Sequence, residues 1–243
     1  MKILIVSDVH GNFHALDAVV KKVPHHVLIC CGDLVVDYPF PGECIRTVKA
    51  VCTHVCRGNN DDLVARNKKA SDYLSERYAN YAAAIDRATE LTQRAISDED
   101  RQYLAGLPRE CRFTIHGISF FMNHTGPGLA LNHYLDLDVP ASELHRHYGN
   151  IRANVILTGH THIPYIKQVN GRILVNPGSV GDPRDGEPRA SYATFDSVNG
   201  QIAVGRLAYD ITATLRRLDA LSYPNYSRYC LENGVLPENP EGR

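Results

Sequence analysis

No apolar run in the 243-residue chain approaches the roughly 20 residues needed to cross a bilayer. The N-terminal run from Ile3 to Val6 is cut off by Asp8 and reads as a strand, not as the core of a secretory leader. CxxC spacing is also absent. Seven cysteines, an odd number, therefore suggest neither a disulfide framework nor a structural zinc site. Cys30 and Cys31, ending an apolar run, read as small packing hydrophobes, and the free thiols point to a reducing, cytoplasmic setting. Excess charge is missing too: the net charge of −1 carries no signature of a nucleic-acid or anionic-membrane surface. There is no internal repeat, linker or low-complexity segment, and we read residues 1–243 as one domain with ample length for a core. What is present in an unusual arrangement is histidine, 12 residues whose positions are not scattered.

The first third alternates strand-like and helix-like stretches. KILIVSD, VLICCGD and VCTHVCRGNND read as strands, with FHALDAVVKKV and ECIRTVKAV between them at helical spacing, a parallel βαβ pattern. From about 62 to 108 the pattern becomes a helical insertion. Leu74, Tyr78, Tyr81, Ile85, Ala88, Leu91 and Ala95 recur every three or four residues, predicting one face of a long helix packed as core. Ser97 followed by three acids predicts a capped short helix ending near Gly106. The second half returns to strands. CRFTIHG-ISFFMNH, IPYIKQV-NG-RILVN and SYATFDSVNGQIAVGRL predict hairpins, and ANVILTGH a buried strand. Hairpins here and βαβ there predict a layered α/β chain: two packed mixed sheets with helices outside. The tail, about 210–243, is expected to be helical and then frayed.

Ligand-type side chains follow one strand-like run after another: Asp8 and His10 in SDVHGN, Asp33 in CGD, Asn59 in RGNND, His124 in FMNHTGP, His160 and His162 in LTGHTHIP. Each has an ordinary account alone, as a cap, a turn or a satisfied core histidine. GHTH is the hardest to explain that way, because two histidines at an apolar strand end waste burial unless something binds them. In parallel layered folds, sites form where strands deliver their C-terminal ends. Seven nitrogen and oxygen ligands with no thiolate suit two hard-to-borderline divalent metals.

The series D-x-H, GD, GN, H and GHTH, running from Asp8 to about Arg184, resembles the calcineurin-like metallophosphoesterase family. NPGSVGDPRDGEPRASYATFD is similar to the bacterial and archaeal phosphodiesterase branch of that family. The resemblance implies that Asp8, His10 and His162 hold one metal, that Asn59, His124 and His160 hold a second, and that Asp33 bridges them. Asp33, Asn59 and His124 would thereby also be catalytic, around a bridging hydroxide that attacks phosphorus in line. Asn12, Arg57 and Asn60 are candidate substrate contacts, and the NPGS loop is either another or the support of GHTH.

Many relatives read GNH where this chain has Asn60, and their histidine protonates the leaving alcohol. An amide cannot do so. Either the substrate has a leaving group stable as an anion, or the chain is a degenerate interaction module. The filled ligand set favours an enzyme. A phosphodiester is the expected substrate, with dinucleoside polyphosphates and phosphomonoesters as alternatives. Manganese is the first choice of metal, with iron, nickel or zinc also suited to these ligands.

Overall fold

Alternation along the apolar strands decides the architecture. Ile3, Ile5, Ile29 and Cys31 face a second sheet that answers with Phe120, Met122, Val155, Leu157 and Val175, and this is the core between the layers. Leu4, Val6, Leu28 and Cys30, one residue out of phase, face covering helices instead. A strand buried on both faces reads as a continuous apolar run, as KILIV and VLIC do.

The computed structural model describes residues 1–72, 76–131, 133 and 139–240. In chain order its elements are β1 (Lys2–Val6), α1 (Phe13–Lys22), β2 (Val27–Cys30), α2 (Pro41–Val51), β3 (His54–Val55), α3 (Asn59–Ala65), α4 (Ala82–Ala95), α5 (Asp98–Gly106), β4 (Glu110–Ile115) and β5 (Ile118–Asn123). They continue with α6 (Ala141–Tyr148), β6 (Val155–Leu157), β7 (Tyr165–Val169), β8 (Arg172–Asn176), β9 (Ala190–Asp196), β10 (Ile202–Leu207), α7 (Thr212–Ala220) and α8 (Asn225–Asn233). One sheet has the order β10-β9-β1-β2-β3 and the other β4-β5-β6-β8-β7. Both are mixed: β1, β2 and β3 run parallel, as do β5, β6 and β8, while β9 and β7 pair antiparallel at their flanks. The three expected hairpins form, with Val169 opposite Arg172 across Asn170-Gly171.

Four local expectations need correction. The third strand shrinks to two residues, and Asn59 lies in no loop: it opens α3, for which Gly58 is the N-cap. The long insertion helix begins late. Leu74 lies outside the described residues, Glu76–Tyr81 is a 3-10 segment, and the α-helix starts only at Ala82, where alanines replace a run rich in tyrosine. Its buried face includes Thr89 and Thr92, while Ala95 is exposed. Helix α6, which buries Leu144 and Tyr148 against the outer face of the second sheet, was not read from the sequence; it carries His145 and His147. Finally, the tail is helical as expected, in α7 and α8, but the Pro-rich stretch after them is anchored at Pro237, which is buried. Tyr226, Cys230 and Leu231 are buried, and Tyr226 and Cys230 pack with Tyr78 and Tyr81 of the insertion. Tyr81 donates its hydroxyl to the carbonyl of Pro237.

Candidate metal centre

The C-terminal ends of β1, β2, β5 and β6 and the start of α3 converge at one end of the two sheets. There Asp8, His10 and His162 form one group of ligand-type atoms within 4.8 Å of one another, and Asp33, His124 and His160 form another. All six residues are buried. His10 Nε2 lies 3.8 Å from Asp33 Oδ2, and His124 Nε2 lies 3.2 Å from the same oxygen, so Asp33 stands between the groups. Asp8 Oδ1 is 3.4 Å from His162 Nε2 and 3.7 Å from His124 Nε2.

Five of these residues have a left-handed backbone: Asp8 (φ 54°), His10 (φ 52°), Asp33 (φ 53°), His160 (φ 72°) and His162 (φ 60°). Such a conformation costs a non-glycine residue on the order of 1 kcal/mol, and it persists only where the surroundings over-determine it. Here they do. The loop after β1 is zipped to the loop after β2 by Asp8 N to Gly32 O (2.9 Å), His10 N to Asp33 O (3.0 Å) and Gly11 N to Leu34 O (2.9 Å). Two glycines permit the close approach. A Cβ on Gly58 would sit 2.0 Å from Asp33 Oδ1, and one on Gly159 would sit 2.0 Å from Ser7 Oγ and 2.8 Å from Asp8 Oδ2.

The outer nitrogens of the imidazoles are tied down, which aims the inner ones. His10 Nδ1 lies 2.8 Å from Asp37 Oδ2. His162 Nδ1 meets the backbone carbonyl of Asp182 and, at 3.2 Å, its carboxylate. His124 Nδ1 is 2.7 Å from the carbonyl of Cys31. An imidazole fixed through one nitrogen presents the other as a ligand, the usual outer support of a metal-binding histidine. Asn59 adds an oxygen: its carboxamide O is 2.8 Å from His160 Nδ1, 3.2 Å from His124 Nε2 and 3.3 Å from Asp33 Oδ2, three acceptor-type atoms. Turned over, its NH2 would donate to all three; as it lies, its oxygen is grouped with atoms that could hold a cation. This donor set, imidazole with carboxylate and amide oxygen and no thiolate, fits a pair of divalent metals.

Electrostatics point the same way. Burial disfavours the charged form of every member, yet His162 and His124 hold Asp8 down to about 2. Burial likewise opposes charge on His124, but Asp33 and Asp8 bring its imidazole up to about 9. His160 is pushed well below the ordinary range by burial and by His124. The carboxylates demand positive charge, and in metal-free protein only protons on the histidines can meet that demand. Metal binding would displace those protons.

Of the candidate substrate contacts, Asn12 is fully buried and spent on the scaffold. It caps α1 through Ala15 N and donates to Gly181 O and Tyr209 Oη, both at 2.8 Å. Arg57 reaches Ala105 O (3.1 Å) and Asp62 (3.4 Å). Asn60 donates both its backbone N–H and its side-chain amide to Asp33, each at 2.8 Å, and so orients that carboxylate. The NPGS loop supports GHTH: Asn176 donates to Gly159 O at 2.7 Å, and Ser179 Oγ to Asp8 O at 2.6 Å. Three buried acids escaped notice in the sequence. Asp61 accepts from the backbone N–H groups of Asp33, Leu34 and Gly58 at 2.8–2.9 Å. Asp182 takes Tyr38 and Arg184 as well as His162. Asp37 accepts from the Tyr226 hydroxyl of α8 while facing His10.

Two stacked mixed sheets with a buried Asp/His/Asn cluster at the parallel strand ends define a metallohydrolase type of architecture. The family model of the calcineurin-like phosphoesterase superfamily domain matches residues 1–200, and the chain belongs to that superfamily. It is similar to an uncharacterised protein of Methanocaldococcus jannaschii, 29% identical over 235 residues, which cover 89% of this chain and 91% of that one. It also resembles the crystal structure of a metallophosphoesterase from Sphaerobacter thermophilus, with 28% identity, a TM-score of 0.79, and 97% of this chain and 99% of that chain covered. A hypothetical protein from Pyrococcus horikoshii OT3 shares the fold at a TM-score of 0.81 and 21% identity, covering 97% and 99%. Among the described residues no helix is long and apolar enough to cross a membrane.

Proposed function

We propose that this chain hydrolyses phosphate esters, phosphodiesters foremost, at a centre holding two divalent metals, manganese being the first candidate. The observation that carries the proposal is the pair of three-residue ligand groups with Asp33 between them. Bound there, the metals would supply Lewis-acid charge to phosphate oxygens and lower the pKa of water. The protein's own residues do the rest. Asp33 offers one oxygen toward both groups, and Asn60 holds it in that attitude through two hydrogen bonds. Asn59 contributes an oxygen without charge, which leaves more positive charge for substrate.

Two features favour a monoanionic diester with an acidic leaving group. Arg57, two residues before Asn59, is engaged by Asp62, and Arg184 by Asp182, which faces His162, so neither is spare for a second phosphate charge. No imidazole stands at position 60 to protonate a leaving oxygen, and the amide there is committed to Asp33. Metal analysis of purified protein, followed by a panel of nitrophenyl diesters, nitrophenyl monoesters and dinucleoside polyphosphates with and without added Mn2+, tests the reading. Hydrolysis of none of them with two metals bound would return the chain to the interaction-module alternative; hydrolysis of monoesters alone would overturn the diester preference.

A further inference from the structure

Asp61, the third residue of α3, is fully buried, and its carboxylate accepts from three backbone N–H groups. Its Oδ2 takes those of Asp33 and Gly58, each at 2.9 Å, and its Oδ1 takes that of Leu34 at 2.8 Å. The bond to Gly58 is the ordinary one from an acid in the first turn back to the residue that caps the helix. The other two are not, because Asp33 and Leu34 lie 28 and 27 positions upstream, in the loop after β2. One carboxylate thus ties the loop that presents Asp33 to the helix that presents Asn59. The two segments touch so closely that a Cβ on Gly32 would lie 2.7 Å from Gly58 N.

Consecutive N–H groups around a left-handed residue form a concave seat for an anion. Asp33 has that backbone, at φ 53°, and the anion in its seat is Asp61. Hydrogen bonds to an ionised acceptor are the stronger kind, so these two oppose the return of Asp33 to an ordinary backbone. The residue before Asp61 grips the other end of Asp33: Asn60 donates its N–H to Oδ1 and its side-chain amide to Oδ2, each at 2.8 Å. The backbone and the carboxylate of Asp33 are therefore held separately, both from α3. A helix cap alone would need only Gly58.

We propose that Asp61 is a positioning residue for the metal centre: it fixes the left-handed backbone of Asp33, and through it the point where that carboxylate stands between the two ligand groups. The inference rests on the two-metal reading of the site. It sets Asp61 apart from Asp37, which backs one histidine of one group. Because Asp33 faces both groups, loss of Asp61 loosens both metals together.

The test titrates the full chain with Mn2+ by calorimetry and records the electron paramagnetic resonance spectrum of the loaded protein. Native protein should bind two ions and show the spectrum of an exchange-coupled pair, because Asp33 is shared. Asp61→Asn, close in shape but uncharged, should weaken both binding steps, within the roughly 10–100-fold that outer supports contribute. At saturating Mn2+ it should also replace part of the coupled signal by that of isolated ions. Asp61→Glu decides between a cap and a clamp, and keeps the test decisive should the uncharged variant fold poorly. It keeps the charge and is the residue that capping boxes favour at this position, but its longer arm moves the oxygens out of the seat. Melts of metal-free protein establish that each variant is folded. Weakening of both steps in Asp61→Glu as well supports the proposal. Native affinity and native coupling in folded Asp61→Glu overturn it, make Asp61 a helix cap, and leave the two-metal reading standing. Native protein that binds no metal overturns both.

Discussion

His10 Nε2 and His162 Nε2 face each other at 3.0 Å inside a buried pocket, one delivered by the loop after β1 and the other by the loop after β6. Two neutral imidazoles can satisfy that contact only if one donates, and both carboxylates nearby, Asp8 and Asp33, also need a positive charge. A dication answers all of these demands at once. Purified protein is therefore expected to carry up to two transition metals per chain. Asp33→Asn should lower metal content and activity more than replacement of any single histidine, because Asp33 faces both groups. Chelation should abolish activity and lower Tm by roughly 5 °C or more, since a ligand at 100 times its Kd adds about 2.7 kcal/mol and a chain of this size shifts about 2–4 °C per kcal/mol. Elemental analysis and thermal melts with and without chelator check this; full activity in exhaustively chelated protein would sink it.

The Tyr226–Asp37–His10 chain makes α8 part of the metal centre, although 216 positions separate Tyr226 from His10 in the sequence. Removing an outer support of a ligating histidine typically costs 10–100-fold in metal affinity. Asp37→Asn should fall in that range for one of two metal sites. Tyr226→Phe, one link further out, should cost less than about tenfold. Calorimetric titration with Mn2+ resolves the two sites, and unchanged affinity in Asp37→Asn would show that the contact is incidental.

Much of this centre was legible in the sequence because every ligand follows a strand, and strands of a layered fold end on one side. The hairpins were legible for a similar reason: Asn170-Gly171 and Asn199-Gly200 are local signals. Long-range supports left no such trace. Nothing around Asp37 or Asp182 announces that each faces a histidine from another loop, and the left-handed backbone of Asp8, His10, Asp33, His160 and His162 is imposed by tertiary hydrogen bonds against local preference. The anchoring of α8 left no trace in the sequence because its partners, Tyr78, Tyr81 and Asp37, lie more than a hundred residues upstream. Short α3 and α6 were missed because seven or eight residues give periodicity too little length to register.

The insertion begins directly after the motif that carries Asn59, where a wall of the cleft could govern substrate size. Its tyrosines Tyr78 and Tyr81 also pack on α8, and Arg184, which holds Asp182, lies over the Tyr78 ring at 5.9 Å. Trimming should then disturb more than KM. Tyr81→Ala should destabilise by about 3 kcal/mol and, by loosening α8 and Tyr226, also weaken metal binding. Denaturant melts of metal-free protein combined with Mn2+ titration separate the two effects. Loss of stability with metal affinity intact would confine the insertion to a packing role.

The last prediction concerns Asn60. The two histidines outside the ligand set that lie nearest it in sequence are packed on aromatic rings: His54 stacks flat on Phe113 at 3.8 Å, and His14 packs edge-on against Phe40 at 4.9 Å. With no side chain donating to the leaving oxygen, negative charge builds there in the transition state. The rate should then depend steeply on leaving-group acidity, with nitrophenyl esters fast and simple alkyl esters slow. Asn60→His should favour alkyl esters selectively, within the roughly 10²–10⁴-fold that general acids contribute. The structure adds a counterweight, because the same change removes one of the two hydrogen bonds that orient Asp33. Nitrophenyl esters, which need no proton, should therefore lose rate in Asn60→His while alkyl esters gain. Asn60→Ala, which keeps the backbone hydrogen bond to Asp33 but loses the side-chain one, should slow the two classes alike. A shallow dependence on leaving-group pKa in the native enzyme, or equal effects of Asn60→His on both classes, would show that the proton comes from elsewhere and that Asn60 serves Asp33 alone.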